Sequence, residues 1–232
     1  MDRLRTRKAE YRYSAIPADS NHIRLLSIQP GHANSKLRCS LLTYSLADQS
    51  LSYEALSYAW EDPTKKRLII CDDKPLHVTD SLYAALMHLR LADKPRLVWA
   101  DAICINQLDY AEKGHQVEFM AKIYISATRT VAWLGREEPD AKLAVDTLSN
   151  IAKRCLEAAD IHVDDVNEVT KIESHKLVNA LIAHAPPDAL DPSTNEEEWA
   201  AISRFFERSW WERMWVCALW FLYFYFIHIV II

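Results

Sequence analysis

Two short apolar runs constrain this chain more than any other feature of it. Leu97-Val98-Trp99-Ala100 and Thr130-Val131-Ala132-Trp133-Leu134 show no polar alternation, so each reads as a strand covered on both faces. Between them lies a helical pattern that is expected to turn Val117, Met120, Ile123, Tyr124 and Ala127 inward on one face. Strand, helix and strand in that order make a parallel crossover, and a sheet built from crossovers needs helices on its faces. The expected fold class is α/β, a mainly parallel sheet with flanking helices.

The preceding residues add strands of another kind. Ile23–Ile28 and Leu37–Thr43 read as strands separated by a turn at Pro30-Gly31. Leu56–Trp60 ends a third, stopped by Glu61-Asp62-Pro63, and Leu68–Cys71 with Leu76–Val78 flank a hairpin loop at Asp72-Asp73-Lys74-Pro75. The first, hairpin-like strands are expected to form an antiparallel N-terminal addition. Thr79 or Asp80 caps the next helix, whose Leu82, Ala85, Leu86 and Leu89 make one apolar stripe. The Leu97 run ends at Asp101, and a loop is expected over Ile103–Asp109.

From Pro139 the texture becomes helical. Val145, Leu148, Ile151 or Ala152, and Cys155 are spaced for one face, and a second helical stretch covers about 163–184. Residues 185–195 read as a linker. Thr194-x-x-Glu197 is a capping box opening a helix with Trp199, Ile202, Phe205 and Phe206 inward. The expected organisation is an arm over 1–22, a domain over 23–215 with a core at 53–135 and a helical part at 139–207, and an apolar tail over 216–232. That tail carries no charge and one histidine. A bilayer anchor, a buried strand or helix, and a truncated end are its three readings.

Composition excludes several functions. Three glycines, at 31, 114 and 135, cannot build a P-loop or a dinucleotide fingerprint, and no G-x-S-x-G elbow occurs. A net charge of −5 argues against a nucleic-acid partner, because neutralising phosphates needs a basic surface. Five cysteines without a C-x-x-C pair fit reduced thiols, hence a cytoplasmic chain, and no apolar signal region follows the charged N-terminus. The nine histidines have no metal-ligand spacing, so no metal is expected.

Three blocks together resemble the heterokaryon-incompatibility (HET) domain of filamentous fungi. The first is Tyr53-Glu54-Ala55-Leu56-Ser57-Tyr58-Ala59-Trp60 with Asp62. The second is Leu97-Val98-Trp99-Ala100-Asp101-Ala102-Ile103-Cys104-Ile105-Asn106-Gln107, continuing through Glu112, Gln116-Val117, Met120 and Ile123-Tyr124 to Val131-Ala132-Trp133-Leu134-Gly135. The third, weaker block is Trp210-Trp211-x-Arg213-x-Trp215-Val216. The chain departs from the pattern at Glu61, where the family has Gly, and at Ala218-Leu219, where it has Gln-Glu. The second departure makes a truncated or aberrant end the preferred reading of the tail.

The resemblance implies an intracellular effector of fungal self/non-self recognition that triggers cell death. It also implies a TIR-like or flavodoxin-like core, and through that distant kinship NAD as a substrate and glycohydrolase chemistry. No cofactor is required on this reading. The expected partners are further copies of the chain or a sensor protein. A membrane would be a partner only if residues 216–232 insert.

The candidate site follows from where strands end. Ligands of open α/β sheets sit at the carboxyl ends of the strands, so Trp60, Asp101, Asn106 and Gln107 are expected to converge on one crevice. Asp101 could orient a ribose hydroxyl, and the two amides supply paired donors and acceptors. Glu112 and Gln116 share a helical face, and Glu112 is the carboxylate chosen to stabilise an oxocarbenium-like ribose. The structural alternatives are Asx-type turns for Asp101 and Asn106, and a favourable helix-start acid for Glu112. Two functions stay open: a nucleotide-consuming enzyme, and a non-enzymatic module that signals by assembly. A crevice with a free carboxylate favours the first, and one whose carboxylates are fully hydrogen-bonded favours the second.

Overall fold

A computed structural model describes residues 10–17, 21–136, 138–158, 183, 195–212 and 229–231. The chain divides into two compact units, residues 1–135 with 227–232, and residues 136–226.

The first unit is built on a mixed sheet. Its strands are β1 (His22–Ile28), β2 (Arg38–Ser45), β3 (Glu54–Tyr58), β4 (Lys66–Cys71), β5 (Lys74–Thr79), β6 (Arg96–Trp99), β7 (Arg129–Trp133) and β8 (Ile229–Ile231). They lie in the order β5-β4-β2-β1-β6-β3-β7-β8. β3 is parallel to both β6 and β7, and β7 is parallel to β8. Within this parallel half the chain order is therefore second, first, third, fourth. The expected antiparallel addition is present as β1-β2 and β4-β5, joined by a parallel β2-β4 pairing, and β1 meets the parallel half antiparallel to β6.

The hairpin between β4 and β5 turns on two residues only. Asp72 and Asp73 both take positive φ, 47° and 59°, the conformation that a tight two-residue hairpin needs. Lys74 and Pro75, expected in the loop, pair instead with Cys71 and Ile70.

Helix α1 (Asp80–Leu89) forms as its sequence predicts. Thr79 Oγ1 accepts a hydrogen bond from the Leu82 amide, and Leu82, Ala85, Leu86 and Leu89 are all buried. After β6 the chain departs from expectation. Asp101–Cys104 is a single helical turn, α2, where a loop was expected to be under way by Ile103. The long helix expected next is two: α3 (Tyr110–Glu118) and α4 (Met120–Ser126), meeting at Phe119. Ile123 and Tyr124 of α4 are buried, but Val117 of α3 is exposed. The buried face of α3 is set by the polar Gln116.

The core of this unit holds Ile23, Leu25, Leu26, Leu56, Tyr58, Val98 and Trp99, all essentially inaccessible. Trp99 meets Tyr124 edge to face at 5.5 Å, and Tyr124 donates to the Leu56 carbonyl. Glu54 staples the parallel strands together. It accepts from Arg96 of β6 and, at 2.5 Å, from Arg129 of β7. Burial alone would raise its carboxyl, but these hydrogen bonds and charges outweigh it and hold the group below its ordinary range. Three residues of the apolar tail form β8 on the outer edge, with Ile229 beside Thr130; residues 216–228 lie outside the described set.

The second unit contains α5 (Pro139–Ala158) and α6 (Glu196–Phe206), followed by a 3-10 turn at Ser209–Glu212. α5 buries Ala144, Thr147, Cys155 and Leu156, whereas Val145, expected inward, is exposed. α6 buries Ala201, Ile202 and Phe205 but leaves Phe206 half exposed. Asn195 sits at its N-cap without a side-chain bond. Thr194 of the expected capping box, most of the helix expected over 163–184 and most of the linker lie outside the described residues. Among the described residues no helix is long and apolar enough to cross a membrane.

Candidate functional site

The site is organised by one residue that interrupts an apolar strand. β1 buries Ile23, Leu25 and Leu26, yet Arg24 between them is itself only 1% exposed. A buried guanidinium needs a counter-charge and hydrogen-bond acceptors, and α3 with its preceding loop supplies both. Arg24 Nη1 donates to Glu112 Oε1 at 2.5 Å and Nη2 to Oε2 at 2.8 Å, a bidentate pair. Nη1 also reaches the Cys104 carbonyl at 3.2 Å, and Nη2 the Ser14 carbonyl at 2.5 Å.

The N-terminal arm closes this arrangement from outside. The Tyr11 amide donates to the Pro75 carbonyl on the edge strand, and the Tyr13 ring lies 5.1 Å from the Arg24 guanidinium carbon. Burial pushes the Tyr11 hydroxyl up to about 12 and raises Tyr13 further. Within residues 10–17, Tyr11, Tyr13 and Ile16 are half-buried, and Glu10, Arg12, Ser14, Ala15 and Pro17 are exposed.

Glu112 is spent on both oxygens. Besides Arg24, its Oε1 accepts from the Asn106 amide at 2.8 Å. Gln116, one turn on, donates from Nε2 to the His22 carbonyl at 2.9 Å. Both side chains point at β1, so the shared face read from their spacing is real, and it faces the sheet. Asp109 caps α3 by accepting from the Ala111 and Glu112 amides.

Asp101 forms a second polar centre at the carboxyl end of β6. The Trp60 indole donates to both of its carboxylate oxygens at 3.2 Å, and the Ala102 amide donates to Oδ1 at 2.8 Å. Gln107 Nε2 donates to the Asp101 carbonyl at 2.9 Å. Asp101 is 7% exposed and Trp60 40%, so the carboxylate is covered while one ring stays accessible. Asn106 Oδ1 accepts from the Leu108 amide, an Asx turn.

The structure thus joins Trp60, Asp101 and Gln107 in one cluster and Glu112 with Asn106 in another. Gln116 belongs with neither: its amide is used on β1. Arg24 and the Tyr13–Ser14 segment escaped the sequence reading. The signal for Arg24 was a charge in the middle of an apolar strand, which is tolerated only with a partner.

The other large aromatics near the sheet and the described thiols belong to the core. Trp99 is inaccessible, and Trp133 is buried 5.5 Å from His88. Cys39, Cys71, Cys104 and Cys155 are free and buried; burial pushes the Cys39 and Cys104 thiols up to about 12. No cluster of metal-ligating side chains occurs among the described residues. Between Asp101 and Glu112 the segment exposes Leu108, at 90%, and Tyr110, at 85%, on either side of an exposed Asp109.

The family model described as heterokaryon incompatibility protein (HET) matches residues 53–218. The chain is 34% identical over 165 residues to heterokaryon incompatibility protein 6, OR allele, of Neurospora crassa. That stretch is 65% of this chain but 24% of the relative, so the chain spans about a quarter of the length of the protein it matches. No solved structure matches with statistical support.

Proposed function

The chain belongs to the heterokaryon incompatibility family, and on that premise we propose that it is a signalling domain of fungal incompatibility that acts through contacts with other chains. The observation that carries this reading is the engagement of Glu112. A carboxylate that stabilises a developing oxocarbenium must reach the ribose itself. Glu112 instead gives both oxygens to Arg24 and the Asn106 amide, beneath an arm anchored at Ser14. Its role here is positioning: it fixes the loop between α2 and α3.

That loop then presents Leu108 and Tyr110 to solvent. Large apolar side chains held outward by a rigid polar base suit a protein–protein contact better than a catalytic crevice. The matched relative runs well beyond the shared stretch, and a sensing module joined to such a domain is the partner proposed here. Cell death is the proposed output, and the cytoplasm the proposed site of action.

One observation favours a second reading, in which NAD or a related nucleotide is bound and cleaved. Trp60 is partly exposed beside Asp101, where the parallel strands β3 and β6 end. The second-first-third-fourth order of the parallel half supports a flavodoxin-like or TIR-like core, whose ligands sit at that edge. On this reading Trp60 stacks on a ring and Asp101 holds ribose hydroxyls.

Forced clustering of the full chain in hyphae separates the two, using Asp101→Asn against Leu108→Ser with Tyr110→Ser. Death that survives the first change and is lost with the second supports signalling by contact. Death accompanied by a fall in NAD, with both abolished by Asp101→Asn, supports the enzyme.

A further inference from the structure

Helix α3 is amphipathic in the wrong direction. Its sheet-facing side carries Glu112 and Gln116, and its outward side carries Tyr110, Gly114 and Val117 at i, i+4 and i+7. Tyr110 is 85% exposed and Val117 49%. Resting on the reading of function by contact, we propose that this outward face is a self-association surface whose occupant is the same face of a second copy, with the two helices parallel.

Two features carry the choice of occupant. Gly114 lies between the two apolar residues, and a Cβ built there would meet nothing within 4 Å. Packing within the chain therefore does not require glycine, although glycine is among the poorest helix formers. A second helix approaching at this point does require it, because a bare backbone lets the two axes come close.

The flanks are self-complementary. At 100° per residue, Lys113 and Glu118 stand on opposite sides of the stripe, about equally far from its centre. Neither has a charged partner among the described residues. In a parallel pair, a residue on one flank meets the opposite flank of its partner helix five positions on. Lys113 of each copy thus reaches Glu118 of the other, twice across one two-fold axis. An antiparallel pair crossing at Gly114 would instead bring the two Lys113 side chains together and leave each Glu118 away from Lys113 of the other copy.

Size sets the strength. Nine residues make a contact about 13 Å long, too short for helix α3 alone to bury the roughly 1,200 Å² of a stable interface. The pairing is weak in free solution and takes hold when copies are held close together, as a clustering signal would do.

Sedimentation equilibrium of the full chain, carried to about millimolar concentration, tests this. Lys113→Glu and Glu118→Lys should each weaken pairing by about fivefold or more, and the double exchange should restore it. Gly114→Gln, placed in open space, should leave the monomer folded and abolish pairing. A chain that stays monomeric, or pairs equally well after either single reversal, overturns the proposal. A monomeric chain that still kills when clustered overturns this surface alone. One that pairs as described but provokes no response overturns the functional reading alone.

Discussion

Arg24 and Glu112 hold each other through two parallel hydrogen bonds of 2.5 and 2.8 Å, 88 residues apart in the chain and buried on both sides. This pair joins β1 to α3, and the Asn106 amide ties the intervening loop to the same carboxylate.

Glu112→Ala would leave a guanidinium buried without a counter-charge. Breaking a buried pair from one side costs about 3–5 kcal/mol, a large part of a domain's total stability. Arg24→Ala should cost a similar amount. Arg24→Met combined with Glu112→Leu should recover most of it, because the desolvation penalty of both charges disappears. Urea unfolding of the three variants measures this; a loss under about 1 kcal/mol in either single variant would contradict the pair's structural role.

Glu54 makes the parallel half of the sheet acid-sensitive. Its carboxyl titrates below the ordinary 4.5 in the folded chain, through the Arg96 and Arg129 bonds that outweigh its burial. Its contribution to stability is therefore complete above the unfolded value and is lost as pH falls through the lower folded one. Glu54→Gln should flatten the stability curve below about pH 4.5 relative to the parent, while lowering stability at neutral pH. Equal pH slopes in parent and variant would show that Glu54 is not the group responsible.

Trp60 reports on Asp101. Asp101→Ala removes the acceptor of the buried side of the indole and of the Ala102 amide, at a cost of about 1–3 kcal/mol. Asp101→Asn keeps one acceptor oxygen and should cost less. The measurement is amide hydrogen exchange over residues 101–108: faster in Asp101→Ala, close to the parent in Asp101→Asn. Unchanged exchange in both would detach Asp101 from the order of the loop.

Asp73 offers a change in the opposite direction. It sits at φ 59° and makes an exposed pair with Arg38. Asp73→Gly creates the Asp-Gly turn that two-residue hairpins prefer, and should stabilise the chain by roughly 0.5 kcal/mol after loss of the ion pair. A lower thermal midpoint would contradict it.

Where apolar spacing and burial agree, the fold was legible from sequence. Leu82, Ala85, Leu86 and Leu89 announced α1 because the stripe that fits a helix is also the one the core receives. The β6 and β7 runs were legible for the same reason, since a strand covered on both faces has no polar positions to confuse its period. Val117 misled because it was pooled with Ile123 and Tyr124 of the next helix. The chain breaks at Phe119, and in α3 a buried ion pair, not apolar periodicity, decides which face turns inward. The Trp60–Asp101–Gln107 grouping followed from strand ends, a local inference. Arg24 could not be matched to Glu112 in the same way, because their contact depends on the long-range register of β1 beside β6.

Signalling by contact, with the carboxylates committed to structure, is checked by incubating purified, artificially clustered chain with NAD and following the nicotinamide released. NAD should stay intact, and Asp101→Asn should change nothing. Nicotinamide release that depends on clustering and disappears with Asp101→Asn would contradict it and establish the enzymatic reading.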